Sequence, residues 1–194
     1  MLTFGDLDDL LTVSDAGKAL WMSIRDPGSF EFEIADSTRE ALRAVEEGRS
    51  LQVTWLHRAL PASHPLRRIG LAFSALTGAE WGVVSAFVSA PGQSIPLHLD
   101  AYDVLSIQLA GRKRWELYGF GSHYRPGPPD PGDHPPEEHV VGPGDSIYVP
   151  KGQIHRVVGE GDEMSLSVAP TFDMPAWPCL LDDLKDELSL DRTF

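Results

Sequence analysis

A mainly β fold with helices ahead of it is what this sequence predicts, and three observations carry the prediction. At least six short alternating or apolar runs follow one another between Trp81 and Phe172. Turn-forming Gly, Pro and Asp residues separate them at short intervals. Helical periodicity precedes these strands, in roughly the first 80 residues, and returns only in a short stretch after Pro170. Strands so short and closely spaced belong to a sandwich or barrel with the helices packed against it. At ~150 residues per domain, 194 residues make one domain, 1–194. Within it the sequence reads as a helical part with one strand over 1–80, a β core over 81–172 and a C-terminal helix over 173–194.

Taken in order, residues 1–50 look helical in patches. Glu40 lies three after Ser37, the spacing of a capping box, and the amphipathic stretch behind it stops at Gly48. Ser50 to Leu56 (SLQVTWL) alternates like a strand. Leu66, Ile69, Phe73 and Leu76 recur at spacings of three and four, which predicts a helix from Pro65 to Leu76. From Trp81 the pattern turns to strands: GVVSAFVSA, IPLHLD, VLSIQLA and KRWELYGF, with Gly111-Arg112 read as a tight hairpin joining the last two. Residues 119–139 are rich in Pro, Gly and Asp and read as a loop outside the core. SIYVP, HRVV and MSLSVA resume the strands, and a short helix is expected around Cys179–Leu188.

Composition narrows the class. No apolar run reaches the ~18 residues of a membrane span, and the acidic start MLTFGDLDDLL has no basic segment of a signal peptide. The single cysteine, Cys179, excludes an internal disulfide and a cysteine-built metal site. A cytoplasmic location is the expectation. With 16 Lys+Arg against 29 Asp+Glu, the net charge of −13 argues against nucleic acid as a partner. It would suit a basic one, although an acidic surface also serves solubility.

The strongest chemical signal is His98-Leu99-Asp100 together with His155. In a strand, residues i and i+2 share a face, so His98 and Asp100 point the same way. His155 follows the turn Pro150-Lys151-Gly152 in a second turn-and-strand unit. Two imidazoles and a carboxylate on one face of an octahedron leave three positions open, the facial triad of non-haem Fe(II) oxygenases. A zinc hydrolase could use similar ligands, whereas structural zinc would want a fourth.

The frame around these residues resembles the two cupin motifs. Gly92, His98-x-Asp100 and Gly111 match the first, and Gly144-Asp145 with Pro150-x-Gly152-x-x-His155 the second. More narrowly, HLDAYDVLSIQLAGRKRWELYG and PGDSIYVPKGQIHRV resemble the JmjC group of cupins, and within it the bacterial ribosomal oxygenases that hydroxylate ribosomal proteins. The resemblance runs from about Gly48 to Phe172. It implies a double-stranded β-helix (a cupin jelly roll) and an Fe(II) enzyme using 2-oxoglutarate and dioxygen.

The resemblance places the iron ligands at His98, Asp100 and His155. It places the cation for the far carboxylate of 2-oxoglutarate at Lys113, thirteen after Asp100 (113 − 100). Strand parity supports that lysine independently. Lys113 shares a face with Trp115 and Leu117, where a lysine is costly unless it meets an anion. In the preceding strand Leu105, Ile107 and Leu109 form one face, so Ser106 and Gln108 are expected to line the pocket. Ser85 and Phe87 fall where relatives often carry Asn and Tyr beside the cosubstrate; Ser85 can still donate a hydrogen bond and Phe87 cannot. Pro170 stands near where relatives often carry a polar group. The other histidines, His57, His64, His123, His134 and His139, show no ligand spacing.

Relatives of this kind continue into a helical dimerisation region and a winged-helix domain, whereas this sequence ends 39 residues past His155 (194 − 155). The expectation is therefore a monomer or weak dimer acting on a peptide, protein or small natural product. Asp130, Asp133, Glu137 and Glu138 in the 119–141 segment favour a cationic substrate. The expected activity is hydroxylation of an unactivated C–H bond. The alternative is a metal-binding cupin that does not use 2-oxoglutarate: an isomerase, another dioxygenase or a small-molecule-binding module.

Overall fold

The structure is a computed structural model that describes residues 3, 5–7, 20–29, 31–78, 80–121 and 129–173. Eleven strands form two antiparallel sheets among these residues. The strands are β1 (Trp21–Arg25), β2 (Glu33–Ile34), β3 (Ser50–Thr54), β4 (Glu80–Ser89), β5 (Ser94–His98), β6 (Asp103–Ala110), β7 (Arg112–Phe120), β8 (Glu137–Val141), β9 (Ser146–Val149), β10 (Gln153–Glu160) and β11 (Ser165–Asp173). Seven lie in the order β2-β1-β3-β4-β11-β6-β9 and four in the order β5-β10-β7-β8. This is the mainly β jelly roll the sequence predicts.

Alternation assigns each face of the larger sheet. Leu51 and Val53, Val84, Ala86 and Val88, and Leu166 and Val168 point to a core shared with Met22, Ile24, Ala41, Ala44, Leu56 and Leu66. That core lies between the larger sheet and helices α1 (Thr38–Glu46), α2 (Leu56–Ala59) and α3 (Pro65–Thr77). Residues of opposite parity face the smaller sheet, where Val104, Val149 and Ala169 pack against Trp115, Leu117, Val141 and Val157. The cavity described below opens in this second layer.

Helix α1 starts as its capping signal requires: Glu40 N donates to Ser37 Oγ at 3.2 Å. The Glu40 carboxylate reaches one residue further back than a capping box predicts and accepts from Asp36 N at 2.8 Å. Helix α3 begins with Pro65, its N-cap His64 accepting from Leu66 N through Nδ1 at 3.3 Å, and stops at Gly78 with φ 69°.

Three expectations need correction. Residues 20–29 and 31–34 are not helical: β1 and β2 form the outer edge of the larger sheet. Strand β1 is five residues long and buried on both sides, so it shows no amphipathic alternation. Within the expected loop, Glu137–Val141 forms an edge strand on β7. Finally, Gly111-Arg112 is not a hairpin between paired strands. Strand β6 pairs with β11 and β9, and β7 with β10 and β8, so the turn carries the chain from one sheet to the other. The crossover requires glycine: φ is 60°, and a Cβ would lie 2.4 Å from Met164 O and 2.8 Å from Ser165 Cα. The expected C-terminal helix, with Cys179, lies outside the described residues, as does His123.

Candidate metal and cosubstrate site

The two histidines meet because β5 and β10 are antiparallel neighbours in a register that sets His155 opposite His98. Both carry the same local hydrogen bond. His98 Nδ1 lies 2.7 Å from Pro96 O, and His155 Nδ1 lies 2.9 Å from Gln153 O. A carbonyl can only accept, so each Nδ1 carries a proton, and Nε2 is the nitrogen each ring has left for a metal. Burial, then the neighbouring His155, depress the His98 pKa to about 4, which keeps that ring neutral above this range.

Asp100 follows β5 by two residues, and its position is fixed from the backbone. Gly152 N donates to Asp100 O at 2.9 Å, and Gly121 N donates to Gly152 O at 2.9 Å. The turn 150–152 thereby ties Asp100 to the strand that carries His155. The Asp100 Oδ2 to His155 Nε2 distance is 3.6 Å. One ligand atom from each of His98, Asp100 and His155 falls within 4.8 Å of the others, an arrangement that could hold a metal ion. Two imidazole nitrogens and one carboxylate match the donor set of a facial metal site.

These residues line a cavity of about 320 Å³ between the two sheets. Lys113, on β7, lines the same cavity and is 3% exposed. Its Nζ donates to Ser167 Oγ at 2.8 Å and lies 5.6 Å from the Phe87 ring centroid. Among the described residues no carboxylate pairs with it. Desolvation without a counter-ion pushes its pKa down to about 7. Phe87 thus offers the lysine a ring face, in place of the hydroxyl a tyrosine would bring.

All six expected site residues, His98, Asp100, His155, Lys113, Ser85 and Ser106, line this one cavity. Gln108 does not; its Nε2 turns to Ala110 O at 2.7 Å near the crossover. No described residue of the 119–141 segment lines the cavity either, because β8 sits at the far edge of the smaller sheet from β5. Glu137 instead lies 3.0 Å from His139, and Glu138 lies 3.8 Å from Arg114.

Sequence reasoning missed Arg25, Gln52, Tyr102, Trp115, Ser167 and Thr171, which also line the cavity. Three of them were readable. Ser167 and Thr171 share the parity of Ala169, opposite to Leu166 and Val168, and Trp115 shares that of Lys113. Beside Pro170 the lining carries Thr171, whose hydroxyl is taken up by the backbone: Oγ1 accepts from Val83 N at 2.9 Å and donates to Val83 O at 3.1 Å. Arg25 and Gln52 reach the cavity only because β1 and β3 extend the larger sheet, a non-local pairing. His57, by contrast, is structural, its Nδ1 accepting from Val84 N at 3.3 Å.

Comparison with known proteins agrees with this geometry. Ribosomal oxygenase 2 of Rattus norvegicus is 38% identical over 71 residues, 34% of this chain and 15% of its own length. An Escherichia coli ycfD structure superposes with a TM-score of 0.66 at 20% identity, covering 99% of this chain and 51% of that one. A second structure, of YcfD as a ribosomal oxygenase in complex with cobalt and 2-oxoglutarate, gives 0.62 at 19%, covering 99% of this chain and 49% of that one. The chain therefore spans about half of these structures and a smaller share of the curated relative. The JmjC domain matches residues 74–177, a stretch that starts in α3 and takes in β4 to β11, the His-Asp-His cluster and Lys113. With more than half of its length matched in this way, the chain belongs to the JmjC domain family.

Proposed function

We propose that this protein is an Fe(II)- and 2-oxoglutarate-dependent oxygenase that hydroxylates a C–H bond in a peptide, protein or small natural product. The observation that carries the reading is Lys113: a buried cation without a carboxylate partner among the described residues, in one cavity with two imidazoles and an aspartate suited to a metal. A metal alone needs no such lysine, whereas a metal-bound dicarboxylate does.

His98 Nε2, His155 Nε2 and an Asp100 oxygen would hold the iron. Iron with 2-oxoglutarate and dioxygen supplies the oxidation, converting 2-oxoglutarate to succinate and carbon dioxide and placing one oxygen atom in the substrate. The chain's part is to bind, orient and keep water out. Lys113 would take the far carboxylate of 2-oxoglutarate, with Ser167 holding its Nζ in place. Ser85 and Ser106, both buried on the cavity wall, would donate further hydrogen bonds to the cosubstrate. Phe87, Ile95, Val104, Trp115 and Val157 supply the apolar lining that makes these bonds stronger than in water.

No helix among the described residues is long and apolar enough to cross a membrane. The net charge of −13 favours a cationic body on the substrate, drawn over about one Debye length, ~8 Å at physiological salt. The alternative, a metal-binding cupin that does not use 2-oxoglutarate, leaves Lys113 without a role. Calorimetric titration of metal-loaded protein with 2-oxoglutarate separates the two readings. The oxygenase reading expects binding that Lys113→Ala removes. Absence of binding to the wild-type protein, or equal binding to the variant, favours the alternative.

A further inference from the structure

Lys113 is not the only cation in the cavity. Arg25, the last residue of β1, lines it from the side of the larger sheet that carries Gln52. Its Nε is buried and has no hydrogen-bond partner. Among the described residues its guanidinium makes no ion pair. Its Cζ lies 5.6 Å from the centroid of the Phe32 ring. Burial depresses its pKa, opposed by its neighbours Tyr102 and Asp100. Tyr102 lines the same cavity, and Trp115, also in the lining, has a buried Nε1 with no partner.

Formal charges sharpen the point. The ionisable lining residues other than histidine and tyrosine are Arg25, Lys113 and Asp100. In the oxygenase reading Asp100 goes to the metal, and the two carboxylates of 2-oxoglutarate go to the metal and to Lys113. Arg25 is left over. A partly desolvated guanidinium with an orphaned donor is costly unless something satisfies it on binding. Its planar fork matches a carboxylate in two parallel hydrogen bonds, a geometry no water reproduces.

We propose that Arg25, with the Tyr102 hydroxyl beside it, binds a carboxylate of the substrate and so holds the reacting carbon next to the metal ligands. The assignment rests on the oxygenase reading above for what fills the rest of the cavity. It makes the group that enters an acid, such as an Asp or Glu side chain, a peptide C-terminus or a small carboxylic acid, whatever cationic body the acidic exterior attracts.

The test uses matched pairs of N-acetyl amino acids and their amides, titrated calorimetrically into the full chain loaded with Mn(II) and 2-oxoglutarate. We expect the acid of at least one pair to bind at least about tenfold tighter than its amide, the size of charge-assisted hydrogen bonds. Arg25→Gln should erase that preference and Arg25→Lys should keep part of it, while Mn(II) and 2-oxoglutarate affinities in both stay within about twofold of wild type. The proposal is overturned if no wild-type pair discriminates, or if Arg25→Gln retains the preference. It is also overturned if Arg25→Gln weakens Mn(II) or 2-oxoglutarate binding, because the guanidinium then serves Asp100 or the cosubstrate. If wild-type protein binds no 2-oxoglutarate, the oxygenase reading fails instead. The pairs are then titrated into Mn(II)-loaded protein alone, where loss of acid preference in Arg25→Gln but not in Lys113→Met upholds Arg25 and the reverse overturns it.

Discussion

His155 stands opposite His98 across the β5–β10 ladder, their ring centroids 4.1 Å apart, and each ring gives its Nδ1 proton to the carbonyl two residues before it. The pairing is a product of register. A one-residue slip between β5 and β10 would turn one ring out of the cavity. That register puts both rings on the wall of one cavity, where a single metal ion could take a nitrogen from each.

Asp100 supplies the only carboxylate of that cluster. Asp100→Ala should abolish tight Fe(II) binding while leaving the circular dichroism spectrum unchanged, because the backbone bond from Gly152 N to Asp100 O survives the substitution. Metal content and spectrum measured on one preparation check this. A variant that stays iron-replete contradicts the cluster.

Lys113 gives a stability prediction with a definite sign. Its pKa falls from 10.5 to about 7 on folding, so between these values the unfolded chain binds more protons than the folded one. Stability without cosubstrate should therefore rise with pH from 7 to about 10.5, by on the order of 3–5 kcal/mol from this group. Lys113→Met should be more stable than wild type at pH 7 and lack that rise. Denaturant melts at several pH values test it, and identical pH profiles in the two proteins would contradict it.

The same lysine sets how cosubstrate binding depends on pH. Only the protonated form attracts a carboxylate, so 2-oxoglutarate affinity should weaken as pH rises above about 7, with proton uptake on binding. Lys113→Ala should weaken it by roughly 3–5 kcal/mol where the lysine is charged, and should remove this pH dependence. Calorimetry in buffers of different ionisation enthalpy reads both effects. A flat pH dependence would remove the lysine from the cosubstrate site.

Gly111 turns the chain from one sheet to the other at φ 60°, with backbone atoms of Met164 and Ser165 where a Cβ would go. Gly111→Ala should cost on the order of 3 kcal/mol, from the left-handed backbone and the overlap together. For a chain of this size that is a fall in Tm of roughly 6–12 °C. An unchanged thermal melt would contradict the packing around the crossover.

The parts of the site that were legible in the sequence are those fixed by local geometry. His98 and Asp100 are two residues apart, Lys113 and Trp115 share parity, and the turn before His155 contains Pro150 and Gly152. Ser167 was legible in the same way, from its alternation with Leu166 and Val168, had parity been followed through β11. Arg25 was not. Its strand is five residues long and buried on both faces, and it reaches the cavity only through pairing with a strand 25 residues away (Arg25↔Ser50; 50 − 25). Gly111 was misread for a related reason. A glycine in a tight turn serves a hairpin and a crossover equally well, and only the partners of β6 and β7 tell them apart.

The most direct test of the central claim is anaerobic addition of Fe(II) and 2-oxoglutarate, together and separately, followed by visible absorption. If His98, Asp100 and His155 hold the iron and Lys113 the cosubstrate, a weak visible band appears only when both are present. It should be absent in Asp100→Ala, and in Lys113→Ala it should need far more 2-oxoglutarate. A wild-type protein that shows no band at any concentration, or an Asp100→Ala protein that shows the same band, would contradict the account.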